Sequence, residues 1–154
     1  MRKPDDNKYR QMIVENLDSS LLVEAGAGSG KTTSLVARML ALIAAGKCTV
    51  DKMAAITFTR KAAAELKGRF QIALERAFNE EKNDEQRDRY QAALTGLELL
   101  FAGTIHSFCA RLLRERPIEA RLDPDFEELE EEDNIILRDQ CWSDYLEGLH
   151  AQEP

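Results

Sequence analysis

The sequence has few of the residues and runs that mark secreted, disulfide-bonded or membrane proteins. Its three cysteines, Cys48, Cys109 and Cys141, are odd in number and widely spaced, which indicates free thiols in a reducing compartment. The longest uninterrupted apolar run, Met39 to Ala45, is far too short to span a bilayer. No apolar segment follows the charged N-terminus, so a signal peptide is not expected. The sequence therefore predicts a cytoplasmic chain without a membrane partner.

Patterns of metal ligands and catalytic nucleophiles are also scarce. His106 and Cys109 stand three residues apart, but the chain has no CxxC pair and only one further histidine, His150. A zinc site is therefore not expected. Ser107 adjoins His106, and adjacency in sequence does not bring a nucleophile and a base together in space.

The net charge of −7 is unevenly distributed along the 154 residues, which suffice for about one domain. Residues 1 to 70 hold 12 Lys and Arg against 7 Asp and Glu, whereas residues 117 to 154 hold 2 against 13. A basic first half suits polyanions such as nucleotides and the DNA backbone. The acidic end would repel them, and its densest part, Asp125 to Asp133, is typical of the solvated start of a helix.

The strongest signal is the stretch Ala25 to Thr32, which reads Ala-Gly-Ala-Gly-Ser-Gly-Lys-Thr. It matches the phosphate-binding pattern G-x-x-x-x-G-K-[ST], except that Ala25 replaces the first glycine. In such loops backbone N–H groups surround the phosphates, the lysine reaches them and the threonine hydroxyl binds Mg²⁺. An apolar run, Leu21 to Val23, precedes the loop, and apolar residues at helical spacing follow it. We therefore predict a strand, a phosphate-binding loop and a helix.

Upstream, Asn7 to Leu17 is predicted to be a helix that carries Gln11. A glutamine amide offers one acceptor and two donors, so it can pair with N6 and N7 of adenine. The alternative is an ordinary exposed polar side chain.

A second buried strand, Ala54 to Phe58, makes a strand–helix–strand unit and hence a parallel sheet. A helix starts at Thr59, with a predicted buried stripe of Ala62, Ala63, Leu66, Phe70, Ala73 and Ala77. The strand end Thr57 to Lys61 then lies at the carboxyl edge of the sheet, where open α/β folds bind ligands. Phe58 there can stack a nucleic-acid base, although it can equally belong to the core.

Two further helices are predicted. The first, Asp84 to Leu100, is polar. The second follows Gly103, with Thr104 as its N-cap. Its predicted inward face consists of Ile105, Phe108, Cys109, Leu112 and Leu113.

Four segments in this order, namely Gln11, Ala25 to Thr32, Ile56 to Leu66 and Gly103 to Cys109, resemble the UvrD/RecB-like branch of superfamily 1 DNA helicases. The amino-acid sequence around the loop is most similar to that of the AddA/RecB helicase-nuclease subunits. The resemblance implies an α/β fold of the P-loop NTPase class, with parallel strands and flanking helices. It places a partial RecA-like domain 1A at residues 1–116 and the acidic helical start of subdomain 1B at residues 117–154.

The resemblance also implies ATP and Mg²⁺ as cofactors and single-stranded DNA as a partner, in DNA repair or recombination. The remainder of the helicase chain, or a partner helicase or nuclease subunit, would be a further partner. The implied nucleotide-binding residues are Gln11, Ala25, Gly26, Ala27, Gly28, Ser29, Gly30, Lys31, Thr32 and Thr33, with Lys31 catalytic and Thr32 a ligand of Mg²⁺. The implied DNA-binding residues are Thr57, Phe58, Thr59, Arg60, Thr104, His106 and Phe108.

One part of the family pattern is missing. Phosphoryl transfer to water needs a carboxylate for Mg²⁺ and a group that orients the water, and this family supplies both from an apolar strand that ends in Asp-Glu. The sequence has no such strand. We therefore expect an N-terminal fragment that binds its ligands but neither hydrolyses ATP nor unwinds DNA.

Two alternatives stay open. One is a naturally short, non-catalytic module that binds a nucleotide or a partner, and the reading frame downstream of Pro154 distinguishes it from a truncated helicase. The other is a different small P-loop enzyme such as a kinase, which leaves the segments Ile56 to Lys61 and Gly103 to Cys109 unexplained.

Overall fold

A computed structural model describes residues 6–150 and has an α/β architecture with a parallel sheet. Its helices are α1 (Asn7–Glu15), α2 (Lys31–Ala44), α3 (Arg60–Glu80), α4 (Asp84–Thr95), α5 (Ile105–Glu115), α6 (Pro117–Ala120) and α7 (Glu131–His150). Its strands are β1 (Ala54–Thr57) and β2 (Phe101–Thr104), and 3₁₀ turns cover Val50–Lys52 and Leu97–Leu99. No helix within residues 6–150 is both long and apolar enough to cross a bilayer.

The chain forms two compact units, Met1–Phe108 and Cys109–Pro154. The first unit contains the sheet, the phosphate-loop sequence and the core. In the second unit, Ala110 is the only buried residue among those described. Within it, the Arg114 guanidinium donates to Glu128 at 3.2 Å and lies 5.0 Å from the centre of the Phe126 ring. The predicted domain boundary between residues 116 and 117 stays a prediction.

The sheet consists of β1 and β2, paired in parallel from Ala54 opposite Phe101 to Thr57 opposite Thr104. Parallel strands need a crossover between them, and here α3 and α4 supply it. The sequence predicted β1. It predicted no strand at the position of β2, only a segment that leads into a helix.

The predicted first strand, Leu21 to Val23, is wrong in this structure. The segment has no regular secondary structure, and Leu22 is 89% exposed. A strand requires a neighbour that takes up its backbone hydrogen bonds. Within the described residues, the sheet contains two strands, and these pair with each other.

The core lies where α2, α3 and α4 meet, with α3 also packed on both strands. Phe70 and Leu74 of α3 are completely buried, and Met39, Ile43 and Tyr90 surround them from the other helices. The predicted stripe of α3 is confirmed at its centre but shifted at its start, since Ala62 is exposed. Residues three and four apart share a helix face, so a face centred on Phe70 takes in Leu66 and Leu74.

The helix ends follow local rules. The Thr59 hydroxyl accepts from the Ala62 N–H at 3.1 Å and caps α3, which confirms the predicted start of this helix. Gly46, at φ 64°, ends α2 two residues after Ala44, which confirms the predicted stop. Arg89 of α4 donates to the Ala44 carbonyl at 2.6 Å, and so ties the end of α2 to α4.

The predicted inward face of α5 is wrong for most of its members. Ile105, Leu112 and Leu113 are exposed, whereas Ala110 is buried. β2 runs directly into α5, with no residue between Thr104 and Ile105, so the strand sets the direction in which the first residues of the helix face. Apolar spacing alone does not contain that information.

Candidate nucleotide-binding site

The loop between Val23 and α2 has the backbone shape that its glycines permit. Gly28 has φ 74° and Gly30 has φ 86°, both in the left-handed region that L side chains rarely adopt. A Cβ placed at Gly26 or Gly28 would meet no heavy atom within 4 Å, so open space lies beside both residues. The loop therefore leaves room for a ligand to approach its backbone closely.

Internal hydrogen bonds close the loop on itself. The Ser29 hydroxyl and the Ser29 N–H donate to the Gly26 carbonyl at 2.8 and 3.4 Å. The Lys31 ammonium donates to the carbonyls of Ala25 and Gly26 at 2.6 and 3.2 Å. These bonds hold the cation of Lys31 against the carbonyls of the loop.

The start of α2 adds backbone donors. Gly30 forms the N-cap without a side-chain hydrogen bond, and the first helical bond runs from the Ser34 N–H to the Gly30 carbonyl at 2.9 Å. The N–H groups of the first turn have no partner within a helix, and they lie at its positive end. Thr32 and Thr33 are exposed there. Amide donors, an ammonium group and a hydroxyl oxygen together fit a nucleotide phosphate with its Mg²⁺.

Arg10 of α1 also lies at this loop, although no pattern in the sequence indicated it. Its guanidinium donates through Nη2 to the Ser29 carbonyl at 2.8 Å and through Nε to the Asp6 carboxylate at 3.0 Å. The bond from Arg10 holds the pKa of Asp6 below its ordinary value, and the same bond raises the pKa of Arg10. The i, i+4 spacing of opposite charges was the available signal for the pair, but nothing in the sequence linked it to the loop.

Gln11 lies elsewhere on α1. It is exposed and lines a surface groove with Lys8, Met12 and Glu15. A separate cavity of about 150 Å³ adjoins the loop and is lined by residues that include Arg10, Ala25, Ser29 and Lys31. The structure thus brings Arg10 and Lys31 together at the loop and keeps Gln11 apart from them. The role of Gln11 in binding adenine stays a prediction.

A second arginine links α1 to α2. Arg38 donates to the carbonyls of Ile13, Asn16 and Ser19 at 2.7, 2.9 and 3.0 Å, and so takes up acceptors at the end of α1. A cavity of about 720 Å³ lies beside it, lined by apolar and polar residues that include Leu21, Lys31 and Leu35. The cavity on this side of Lys31 is larger than the cavity beside Arg10.

The two segments predicted to bind DNA meet at one place, the carboxyl edge, which we define as Thr57 to Arg60 together with Thr104 to Phe108. Thr57 and Thr104 are register partners, so the segments leave the sheet side by side. Phe58 is 100% exposed, which excludes the alternative that it belongs to the core.

The other members of the carboxyl edge are arranged differently. Arg60 and His106 are exposed, whereas Phe108 is partly buried against Phe101, with ring centres 5.3 Å apart. Thr57 donates its hydroxyl to the Thr59 carbonyl at 2.9 Å. Among the side chains that the structure describes, no three of His, Cys, Asp or Glu are grouped as ligands of a metal ion.

Comparison with known proteins gives a consistent set of matches. Residues 6–152 match the family model of the UvrD/REP helicase N-terminal domain. The chain is 33% identical over 145 residues to an ATP-dependent helicase/nuclease subunit of Ligilactobacillus salivarius, a match that covers 94% of this chain and 12% of that protein. The proteins of the same name from Levilactobacillus brevis and Enterococcus faecalis are 37% identical over 146 residues and 35% identical over 136 residues. These two matches cover 94% and 88% of this chain, and 12% and 11% of those proteins. The chain therefore spans about a tenth of the length of these curated relatives.

Proposed function

The chain belongs to the UvrD/REP helicase N-terminal domain family, and we propose that it is the part of an ATP-dependent DNA helicase that binds ATP and contacts single-stranded DNA. In this proposal residues 1–116 are a partial RecA-like domain 1A of the P-loop NTPase class, and residues 117–154 begin subdomain 1B. The relatives are named as ATP-dependent helicase/nuclease subunits, which supports DNA as the substrate and a larger helicase or nuclease assembly as the partner.

The observation that carries the proposal is the shape of the loop from Ala25 to Gly30 together with the ammonium group of Lys31, which contacts its carbonyls. Two glycines in the left-handed region leave the backbone of the loop open to a ligand. The Lys31 ammonium and the uncapped N–H groups at the start of α2 supply donors that suit phosphates. Lys31 would contact the β- and γ-phosphates, and Thr32 would bind Mg²⁺. ATP, once bound, supplies the phosphoryl group whose transfer to water drives a helicase.

Calorimetric titration with ATP and MgCl₂ tests the nucleotide site. Lys31→Ala removes a charge-assisted contact to phosphate, so affinity should fall at least about tenfold. Lys82→Ala, which removes a lysine between α3 and α4, away from the loop in sequence, is the matched control and should bind like the parent chain. Equal ATP affinity in the parent and Lys31→Ala would refute the assignment of the loop.

The DNA part of the proposal rests on the carboxyl edge. A fully exposed aromatic ring, threonine hydroxyls and the cation of Arg60 suit weak binding of single strands, with little sequence preference and strong salt dependence. The proposed contacts are Thr57, Phe58, Thr59, Arg60, Thr104, His106 and Phe108. Binding of a fluorescein-labelled oligo-dT at two salt concentrations tests this, and affinity that is independent of salt would contradict it.

We also propose that this chain on its own binds ATP without turning it over at a helicase rate. Its sequence holds no apolar strand that ends in Asp-Glu, and a single missing arginine finger already costs about 10³–10⁵ in turnover. A phosphate-release assay with and without single-stranded DNA measures this. DNA-stimulated turnover of several ATP per second that Lys31→Ala abolishes would contradict the proposal and assign the carboxylate role to a residue such as Glu24 or Glu65.

A further inference from the structure

The side chain of Arg10 in α1 is hydrogen-bonded to the phosphate-binding loop. Arg10 bridges two groups at once, the Asp6 carboxylate four residues before it and the Ser29 carbonyl in the loop. Gln11, its neighbour in sequence, lines a groove on another side of α1. The hydrogen bond that links this helix to the loop therefore comes from a charged group.

The bond to Ser29 constrains more than one atom. In a trans peptide, the carbonyl of one residue and the N–H of the next point in opposite directions. The Arg10 guanidinium that fixes the Ser29 carbonyl thus also fixes the N–H of Gly30, which points away from Arg10. Gly30 adopts φ 86°, a conformation that a glycine leaves easily unless its neighbours hold it. Arg10 Nη1 lies 3.5 Å from the position that a Cβ of Gly30 would take, so the guanidinium packs against this residue.

The guanidinium itself is held in place. Asp6 Oδ2 contacts both Nε and Nη2 of Arg10, at 3.0 and 2.8 Å, which fixes the plane of the side chain. The Ser29 carbonyl accepts from Nη2, the same nitrogen that contacts Asp6. A lysine at this position would offer a point charge without this fixed geometry.

We propose that Arg10, oriented by Asp6, is a positioning residue that holds the loop ready for the phosphates of a nucleoside triphosphate, whichever base the nucleotide carries. This inference rests on the nucleotide site of the proposed function. It assigns to α1 a contribution to phosphate affinity that is separate from any contact of Gln11 with adenine.

The test compares three ligands, ATP, GTP and inorganic tripolyphosphate, each titrated with MgCl₂ by calorimetry. Arg10→Ala should weaken all three by the same factor, about tenfold, because the phosphates are common to them. Gln11→Ala, the neighbouring control, should leave tripolyphosphate unchanged. Asp6→Asn loosens the guanidinium without touching the loop, and it should weaken all three ligands by a smaller common factor.

Lys31→Ala distinguishes the nucleotide site from the positioning role of Arg10. If Lys31→Ala leaves ATP affinity unchanged, the nucleotide site itself is wrong. If Lys31→Ala weakens ATP and Arg10→Ala does not, only the positioning role is wrong. A loss with Arg10→Ala that is confined to ATP would mean that Arg10 reads the base, which also overturns the proposal.

A second variant covers the case in which Arg10→Ala does not fold. Arg10→Lys keeps the charge but offers its donors from a single nitrogen, so the helix and its surroundings are disturbed less. Its melting curve should match that of the parent chain, and all three ligands should bind about threefold more weakly. Parent-like affinity for all three ligands in Arg10→Lys would then overturn the proposal.

Discussion

Two phenylalanines twelve positions apart show how the core differs from the carboxyl edge. Phe70, inside α3, is 0% exposed, whereas Phe58, just before the same helix, is 100% exposed. Burying a phenylalanine ring contributes about 1.5–3 kcal/mol, so Phe70 stabilises the fold. Phe58 contributes no such burial in this chain. The ring of Phe70 therefore serves stability, whereas the ring of Phe58 is free to contact a ligand.

The largest effect should come from Phe70. Phe70→Ala leaves a cavity among α2, α3 and α4 and should lower the free energy of unfolding by about 3–5 kcal/mol. Phe58→Ala should change it by less than about 0.5 kcal/mol. Urea unfolding followed by circular dichroism measures both, and Phe70→Leu provides a milder variant if Phe70→Ala does not fold. Equal losses at the two positions would contradict the comparison.

The next effect concerns DNA affinity at Phe58. If a base stacks on the exposed ring, Phe58→Ala should weaken binding of single-stranded DNA by about 1–3 kcal/mol, as fluorescence anisotropy would show. Ile72→Ala, which truncates an exposed apolar residue on the outer side of α3, is the matched control. Similar losses in both variants would mean that the ring has no specific role. Arg60→Ala should instead reduce the salt dependence of binding.

A smaller effect should follow from the cap of α3. Thr59→Ala removes the bond to the Ala62 N–H and should cost about 1 kcal/mol of stability, whereas Thr59→Ser should retain most of it. Neither change should alter ATP affinity. Thr59 caps α3, whereas the proposed ATP site lies at the start of α2, which has no side-chain cap. Thermal melting and the calorimetric titration measure the two quantities. Weaker ATP binding in Thr59→Ala would show that the two helix starts are coupled.

The smallest effect should appear at alkaline pH. Burial raises the pKa of the Tyr90 hydroxyl above its ordinary value of about 10, and Glu81 adds to the shift. The unfolded chain then loses this proton first, so the stabilisation is complete below about pH 10 and declines as the pH rises further. Tyr90→Phe should flatten this decline in unfolding experiments between about pH 9 and 11. An identical decline in the parent and Tyr90→Phe would contradict the assignment.

Local rules made much of the fold predictable. The strand at Ala54, the helix start at Thr59, the buried Phe70 and the stop at Gly46 each follow from the chemistry of a few neighbouring residues. The strand β2 was missed because its four residues lead directly into a helix, and the helical pattern was the longer one. The strand predicted at Leu21 failed for the opposite reason, since apolar residues do not supply a pairing partner.

The same contrast between local patterns and interactions distant in sequence holds at the candidate sites. Lys31 could be predicted as a phosphate contact because the phosphate-binding pattern is local and has fixed spacing. Arg10 could not, because its bond to Ser29 joins residues nineteen positions apart and no pattern in the sequence connects them. The exposure of Phe58 was undecided for a related reason. An apolar residue at the end of a strand suits a core and a ligand surface equally well until the packing of its neighbours is known.

The parallel pairing of β1 with β2 also has a consequence for the order of folding. Ala54 pairs with Phe101, so the sheet closes a loop of nearly fifty residues, whereas α3 and α4 adjoin each other in sequence and pack together. Closing a long loop costs entropy before its contacts compensate, and local contacts therefore tend to form first. We expect pulse-labelling hydrogen exchange to find the amides of α3 protected before that of Ala102 during refolding. Simultaneous protection would mean that the helices gain their stability only when the sheet closes.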